Sequence, residues 1–184
     1  MNGDLRDERD VLRRRLILEA AKACFLQFGY AKTSFDDIAQ RAGISRPLIY
    51  KKFKNKEELL SGVYDFILDP IYPKVEQLLE RKGGSTREKL FALWELLLLE
   101  PYDEWMRMPM AAAFQAACHR VAPEVMERHD RLQLAYTQAV LGSKELSEVF
   151  ILAACGLGAD IPTTRALRAR LQVLVERFTP APRS

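Results

Sequence analysis

Cysteine and histidine are scarce in this chain of 184 residues, with three of the first and two of the second. Cys24, Cys118 and Cys155 are scattered and match no metal or redox spacing, so no disulfide framework or zinc ribbon is encoded, and a reducing, cytoplasmic setting is expected. His119 and His129 are separated by Pro123, and even with Glu124 and Glu127 nearby they make no convincing metal site. Two histidines and isolated thiols cannot assemble a nucleophile, a base and an orienting group. A glycine-rich phosphate loop is missing as well, so neither an enzyme nor a cofactor is expected. No apolar run approaches the roughly 18 residues that cross a bilayer, and no signal-peptide pattern opens the chain, so no membrane partner is expected. Period-two alternation, internal repeats and low-complexity tracts are lacking too, which leaves an all-α fold.

Helical periodicity is present almost throughout. The stretch up to about residue 9 is polar and reads as a loose arm. From Asp10 to Phe28, Ile17, Ala21, Cys24, Phe25 and Phe28 share one helix face, and Gly29 suits the C-terminal cap. Ser34 with Asp37 opens a short second helix that ends near Arg41. Gly43 supplies the left-handed turn, and Ser45 with Pro47 opens a third helix. Asn55 and Glu58 cap a fourth, which runs to about Leu68 before Asp69-Pro70 and Pro73 interrupt it. A helical segment continues to Lys82, and Gly83-Gly84 breaks it. Later helices are expected over 86–100, 103–118, 123–141, 144–158 and 163–178, about nine in all, with Pro101, Pro109, Pro123, Gly142-Ser143 and Pro162-Thr163 as punctuation.

Charge is uneven along this pattern. Residues 1–60 hold 13 Lys/Arg against 9 Asp/Glu, and residues 61–184 hold 15 against 16. Between Ser45 and Lys56 there are five cations and no acid. Two short helices joined by a glycine turn, the second basic, suit a protein that lays a helix in the major groove of double-stranded DNA. Arg46, Lys51 and Lys52 are candidates for base or phosphate contact, because guanidinium and ammonium groups donate to guanine edges and phosphates alike. Ser45 and Pro47 begin the same helix. Thr33 and Ser34 start the second helix, whose N–H groups can face a phosphate. Lys56 places a cation against the dipole at the start of a helix, an arrangement that a phosphate opposite would explain.

These residues resemble those of TetR-family transcriptional regulators. The likeness runs over about residues 11–62 and rests on Phe25 through Gly29-Tyr30, Thr33-Ser34, Asp37-Ile38-Ala39, Ala42-Gly43-Ile44-Ser45, Leu48-Ile49-Tyr50, Phe53 and Lys56-Glu57-Glu58-Leu59-Leu60. Lys52 stands where family members often carry an aromatic residue, and Leu48 where a small residue is common. Both departures bear on which bases are read. The resemblance implies a phosphate contact for Tyr50, a helix-turn-helix domain over 1–60, and a helical regulatory and dimerisation domain over 61–184. It further implies a homodimeric repressor on a palindromic operator, released by a small, largely apolar ligand through a shift of the fourth helix.

The second region carries no comparable motif. Trp94, Tyr102, Trp105, Met106, Met110, Phe114, Cys118 and Tyr136 suit an apolar pocket with few polar anchors as a set, while each taken singly suits ordinary core. Phe150, Ala153, Ala154 and Leu157, with Leu167, Leu171, Leu174 and Phe178, form apolar stripes on the last two helices. The stripes can be internal core, but the family resemblance assigns them to a four-helix interface with a second copy. A regulator controlled by a protein partner, with a filled second domain, is the alternative, and an enzyme using the apolar pocket ranks lowest.

Overall fold

A computed structural model describes residues 4–179, with side chains from residue 8. Among them the chain is helical throughout: α1 (Asp4–Phe28), α2 (Phe35–Ala42), α3 (Arg46–Lys52), α4 (Lys56–Leu68), α5 (Tyr72–Glu80), α6 (Thr86–Trp94), α7 (Ala111–Val121), α8 (Pro123–Leu141), α9 (Lys144–Gly156) and α10 (Thr164–Phe178). Two compact units share the chain. One takes it up to Ile67 together with Met108–Met126, and the other takes Leu68–Arg107 and the chain from Glu127 onward. The sequence alone suggests a single cut after residue 60; here residues 108–126 belong with the N-terminal helices.

The first unit, the head, is built by caps and one apolar core. The Ser34 hydroxyl accepts from the Asp37 N–H while the Asp37 carboxylate accepts from the Ser34 N–H, which closes the capping box of α2. Gly43, at φ 65°, ends α2 in the left-handed conformation that sharp reversal into α3 requires. Ile17, Ala21, Phe25, Ile38, Ile49, Leu59 and Phe114 are fully buried in this core. Phe114 of α7 lies 6.3 Å from the Phe25 ring and 6.1 Å from Tyr64, so α7 completes the head. The Met110 N–H donates to the Leu26 carbonyl at 3.1 Å, satisfying one of the orphan acceptors at the end of α1. Gly29 turns the chain there at φ 87°, and an added Cβ would stand 2.9 Å from the Met110 methyl.

Two expectations fail in this unit. Helix α1 reaches back to Asp4, so most of the supposed arm is helical; Lys52 of α3 binds Asp10 at 2.8 Å and anchors that end, while residues 1–3 lie outside the described range. Phe28, the last residue of α1, is 49% exposed and does not join the buried face expected for it.

In the second unit α6 does not stop before Pro101. Helical structure continues through two π segments, Glu95–Leu99 and Tyr102–Met106, and ends at Arg107. The wider turns lie on either side of the proline, which has no N–H to give; the helix expected over 103–118 is divided, and α7 begins only at Ala111. Leu98 of the first π segment is buried, as are Leu90, Trp94, Phe150, Leu167 and Leu171 on α6, α9 and α10, and α10 packs against that segment. Phe150 meets Trp94 edge-on at 5.3 Å and Phe178 at 5.0 Å. The 157–163 connection is held by Tyr102, whose hydroxyl donates to the Pro162 carbonyl at 2.6 Å, and by Arg170, which donates to the Leu157 carbonyl and pairs with Asp160. Within it Ile161 has φ 50° and is 71% exposed, an unusual conformation for a β-branched residue.

Candidate nucleic-acid interface

The turn at Gly43 sets α3 across α2 with one face outward, and the exposed residues of that face are Ser45, Arg46, Pro47, Tyr50 and Lys51. Ile49 points the other way and is fully buried, which fixes the rotation of this short helix. Tyr50 leans its ring edge-on against Phe35 at 4.8 Å and keeps 48% of its surface exposed. Arg46 donates to the Tyr50 hydroxyl at 3.1 Å and to the Asp36 carboxylate at 2.9 Å. These two contacts, Tyr50 first, raise its pKa further and brace the guanidinium. Two of its five N–H donors are used, so a bidentate donor pair remains for a guanine edge or a phosphate.

Beside Arg46 lies a hollow of about 500 Å³ between the start of α2, α3 and the start of α4. Its charged lining is Lys32, Arg46, Lys54 and Lys56, with the Ser34 and Tyr50 side chains and Asn55 among the polar groups and no acid. Four cations around a concave surface, next to the N–H groups at the start of α2, suit a phosphate. Asn55 accepts from the Glu58 N–H at 2.7 Å and so orients the first turn of α4 at the rim. Sequence reasoning did not place Lys32, Lys54 and Asn55 in the site. Lys54 was visible as part of the basic run, but Lys32 lies in the loop before α2, away from that run, and only the fold brings it alongside.

The other expected contacts are placed differently. Thr33 is buried, and its hydroxyl donates to the Gly29 carbonyl at 2.9 Å; that bond ties α1's end to α2, so the hydroxyl does not face solvent. Lys56 donates to the Thr33 carbonyl at 2.9 Å and stands 4.4 Å from the Tyr30 ring centroid. It is a strap first, with two further N–H donors left for an anion. Tyr30 below it donates to Glu57 at 3.1 Å, and burial followed by that carboxylate pushes the phenol's pKa up to about 12. Lys52 is held by Asp10 and is only 20% exposed.

The residues expected to line an apolar pocket fall in both units. Trp94, Tyr102, Trp105, Met106 and Tyr136 belong to the second, whereas Met110, Phe114 and Cys118 belong to the head. Burial raises the Cys118 thiol to about 12, so it is packing rather than chemistry. The Trp94 indole N–H is buried without a hydrogen-bond partner. Tyr136 is half-buried, and its hydroxyl donates to Glu76 at 3.2 Å. His119 lies in the head and His129 in the second unit, and no group of metal-binding side chains occurs among the described residues. No helix among them is long and apolar enough to cross a membrane.

Half of the residues expected in the dimer stripes lie in the core of the single chain. Phe150, Ala154, Leu167 and Leu171 are fully buried, because α9 and α10 pack on each other and α10 packs on α6. Ala153, Leu157, Leu174 and Phe178 are half-buried. The apolar residues left outward are Leu146, Val149 and Leu152 on α9 and Val173 on α10, with Leu152 76% exposed. Their spacing traces one face of α9 next to the buried one.

Residues 17–63 match the model of bacterial regulatory proteins, tetR family. The chain is 41% identical over 86 residues to the uncharacterized HTH-type transcriptional regulator YhgD of Bacillus subtilis, covering 45% of each. It is 38% identical over 90 residues to the HTH-type transcriptional activator FasR of Mycolicibacterium smegmatis, covering 49% of this chain and 39% of that one. It thus spans less than half the length of these curated relatives. A TetR-like transcriptional regulator from Rhodococcus sp. RHA1 has the same fold over 90% of this chain and 94% of its own, with TM-score 0.69 and 24% identity.

Proposed function

We propose that this chain, which belongs to the TetR family of bacterial regulatory proteins, is a DNA-binding transcriptional regulator acting as a homodimeric, ligand-released repressor. The observation that carries the DNA reading is the acid-free hollow of Lys32, Arg46, Lys54 and Lys56 beside the exposed Tyr50 and Lys51. The lysines and Tyr50 hold phosphates and set the register. Arg46 and Lys51 read base edges. Ser34 and the first N–H groups of α2 meet the backbone on the other side of the hollow.

A second copy covers the outward face of α9 and α10. Four large apolar side chains left in solvent on adjacent helices are an interaction surface rather than scattered exposure. Two heads related by a two-fold axis then address half-sites about 34–36 Å apart, so the operator is palindromic. The effector is a small, largely apolar molecule. SmeT, with TM-score 0.72 and 22% identity, is solved as a complex with triclosan. The aromatic content of the second unit at Trp94, Tyr102 and Trp105 supports an effector of that kind, and the partnerless Trp94 N–H supports a hydrogen-bond acceptor on it. An effector that prefers the released state lowers operator affinity by its differential binding, on the order of 1–3 kcal/mol.

Selection of bound duplexes from a random pool, repeated at low and high salt, tests the reading. A palindromic site with a steep salt dependence is the expected result. Binding that is absent, or equal for all sequences, would sink it.

A further inference from the structure

The head has a second hollow that DNA recognition does not use. It measures about 300 Å³ and lies between the C-terminal end of α1 and the outer face of α7. Its floor is Ala113, Ala116 and Ala117, small side chains that leave a channel along the helix. Phe28, half-exposed, and Met110 border it. The charged residues lining it are Lys32 and Arg120, and no acid lines it. Neither cation makes a side-chain hydrogen bond or ion pair among the described residues, although this molecule pairs many of its exposed arginines and lysines. An apolar channel with two unpaired cations attracts a molecule with the opposite layout.

We propose that this hollow binds an amphipathic monoanion: a carboxylate met by Lys32 and Arg120, with an alkyl or aryl body on the alanine floor against Phe28. A methylene occupies roughly the volume of a water, so the space holds a body of about eight to ten heavy atoms. Binding needs no DNA and does not depend on the repressor reading. Its consequence does, because Lys32 also lines the phosphate hollow. A carboxylate on Lys32 neutralises one of the cations presented to DNA, so this anion and the operator compete for one side chain.

Calorimetric titration of the full chain without DNA, using decanoate, decanol and decyltrimethylammonium, tests the site. Decanoate should bind one to one, at least tenfold tighter than the other two, and affinity should rise about two- to fourfold per methylene from hexanoate to decanoate. Ala116 is exposed, so Ala116→Phe keeps the fold while filling the channel; its melting curve should match the parent's and decanoate binding should be lost. Arg120→Glu should weaken decanoate at least tenfold. Failure of decanoate to bind, equal binding of decanol, or undiminished binding by Ala116→Phe each overturns the proposal. Where binding holds, saturating decanoate should lower the salt slope of DNA binding by about one in the parent and leave Ala116→Phe unchanged. An unaltered slope in the parent would remove the competition through Lys32 while the site itself stands.

Discussion

The basic hollow of the head and the apolar face of α9 and α10 are both exposed, yet they are made in opposite ways. In the hollow two of the four cations have polar neighbours that aim them: Asp36 and Tyr50 brace Arg46, and the Thr33 carbonyl holds Lys56, while Asn55 orients the start of α4. On α9, Leu146, Val149 and Leu152 have no such support and are defined by what does not cover them. The head therefore presents a partly preorganised charged surface, while the α9–α10 face is the one for which a covering second copy is proposed. Charge contacts that are aimed can be lost one at a time with graded cost, whereas an apolar face fails together.

The largest effect should come from charging that face. Val149→Glu combined with Leu152→Glu places two carboxylates where the proposed second copy would pack, an expected cost of at least about 3 kcal/mol, or two orders of magnitude in dimer dissociation. Sedimentation equilibrium should show monomers that keep the helical signal. A dimer of unchanged strength would move the interface elsewhere and undo the contrast. Next is Gly29→Ala. The residue stands at φ 87°, and its Cβ would meet Met110 at 2.9 Å, so urea unfolding should show a loss of about 2–4 kcal/mol. Met110→Ala in the same chain should recover the collision but not the backbone strain.

Within the hollow, Lys54 and Lys56 separate holding DNA from holding the fold. Lys54→Ala should weaken all duplexes about equally and reduce the salt slope by about one, with stability unchanged. Lys56→Ala should do the same and also cost about 1 kcal/mol of stability, because the Thr33 carbonyl loses its donor. Equal stability of the two variants would demote the strap. The smallest effect is a pH dependence confined to the second unit. His129 is held below the ordinary histidine pKa of 6.5, mainly by burial, with Asp130 opposing, and its ring nitrogen meets the Tyr72 hydroxyl at 3.1 Å. The folded state thus prefers the neutral ring. Its contribution is complete above pH 6.5 and fades as pH falls through the lowered folded value. Melting temperatures taken across that window should fall less for His129→Gln than for the parent.

How far each region could be read beforehand follows from the same contrast. Ser34 with Asp37, Gly43 and Asn55 with Glu58 are residue types demanded by caps and turns at fixed spacing, so the sequence marks α2, α3 and the start of α4 closely. Arg46, Tyr50 and Lys51 could be placed on an outward face because Ile49 and Phe53 mark the inward one. Lys32 and the burial of Thr33 were hidden, since both depend on how the loop after Gly29 folds back. In α9 and α10 an apolar residue is equally at home inside or between subunits. Phe150 and Leu152 differ by two positions and about 200° around the helix, and composition does not say which side is covered. Pro101 misled for another reason: a proline breaks an α-helix, but wider π turns on either side carry the helix past it.

Ile161 joins those two helices with φ 50° and most of its side chain in solvent. Both conditions cost an isolated subunit free energy, and a glycine or asparagine there would avoid the first. If a neighbouring copy shelters this corner as well as the α9–α10 face, the cost is returned only on association. Heat resistance then becomes a property of the solution as well as of the chain: dilution lowers the melting temperature, and each doubling of protein concentration raises it.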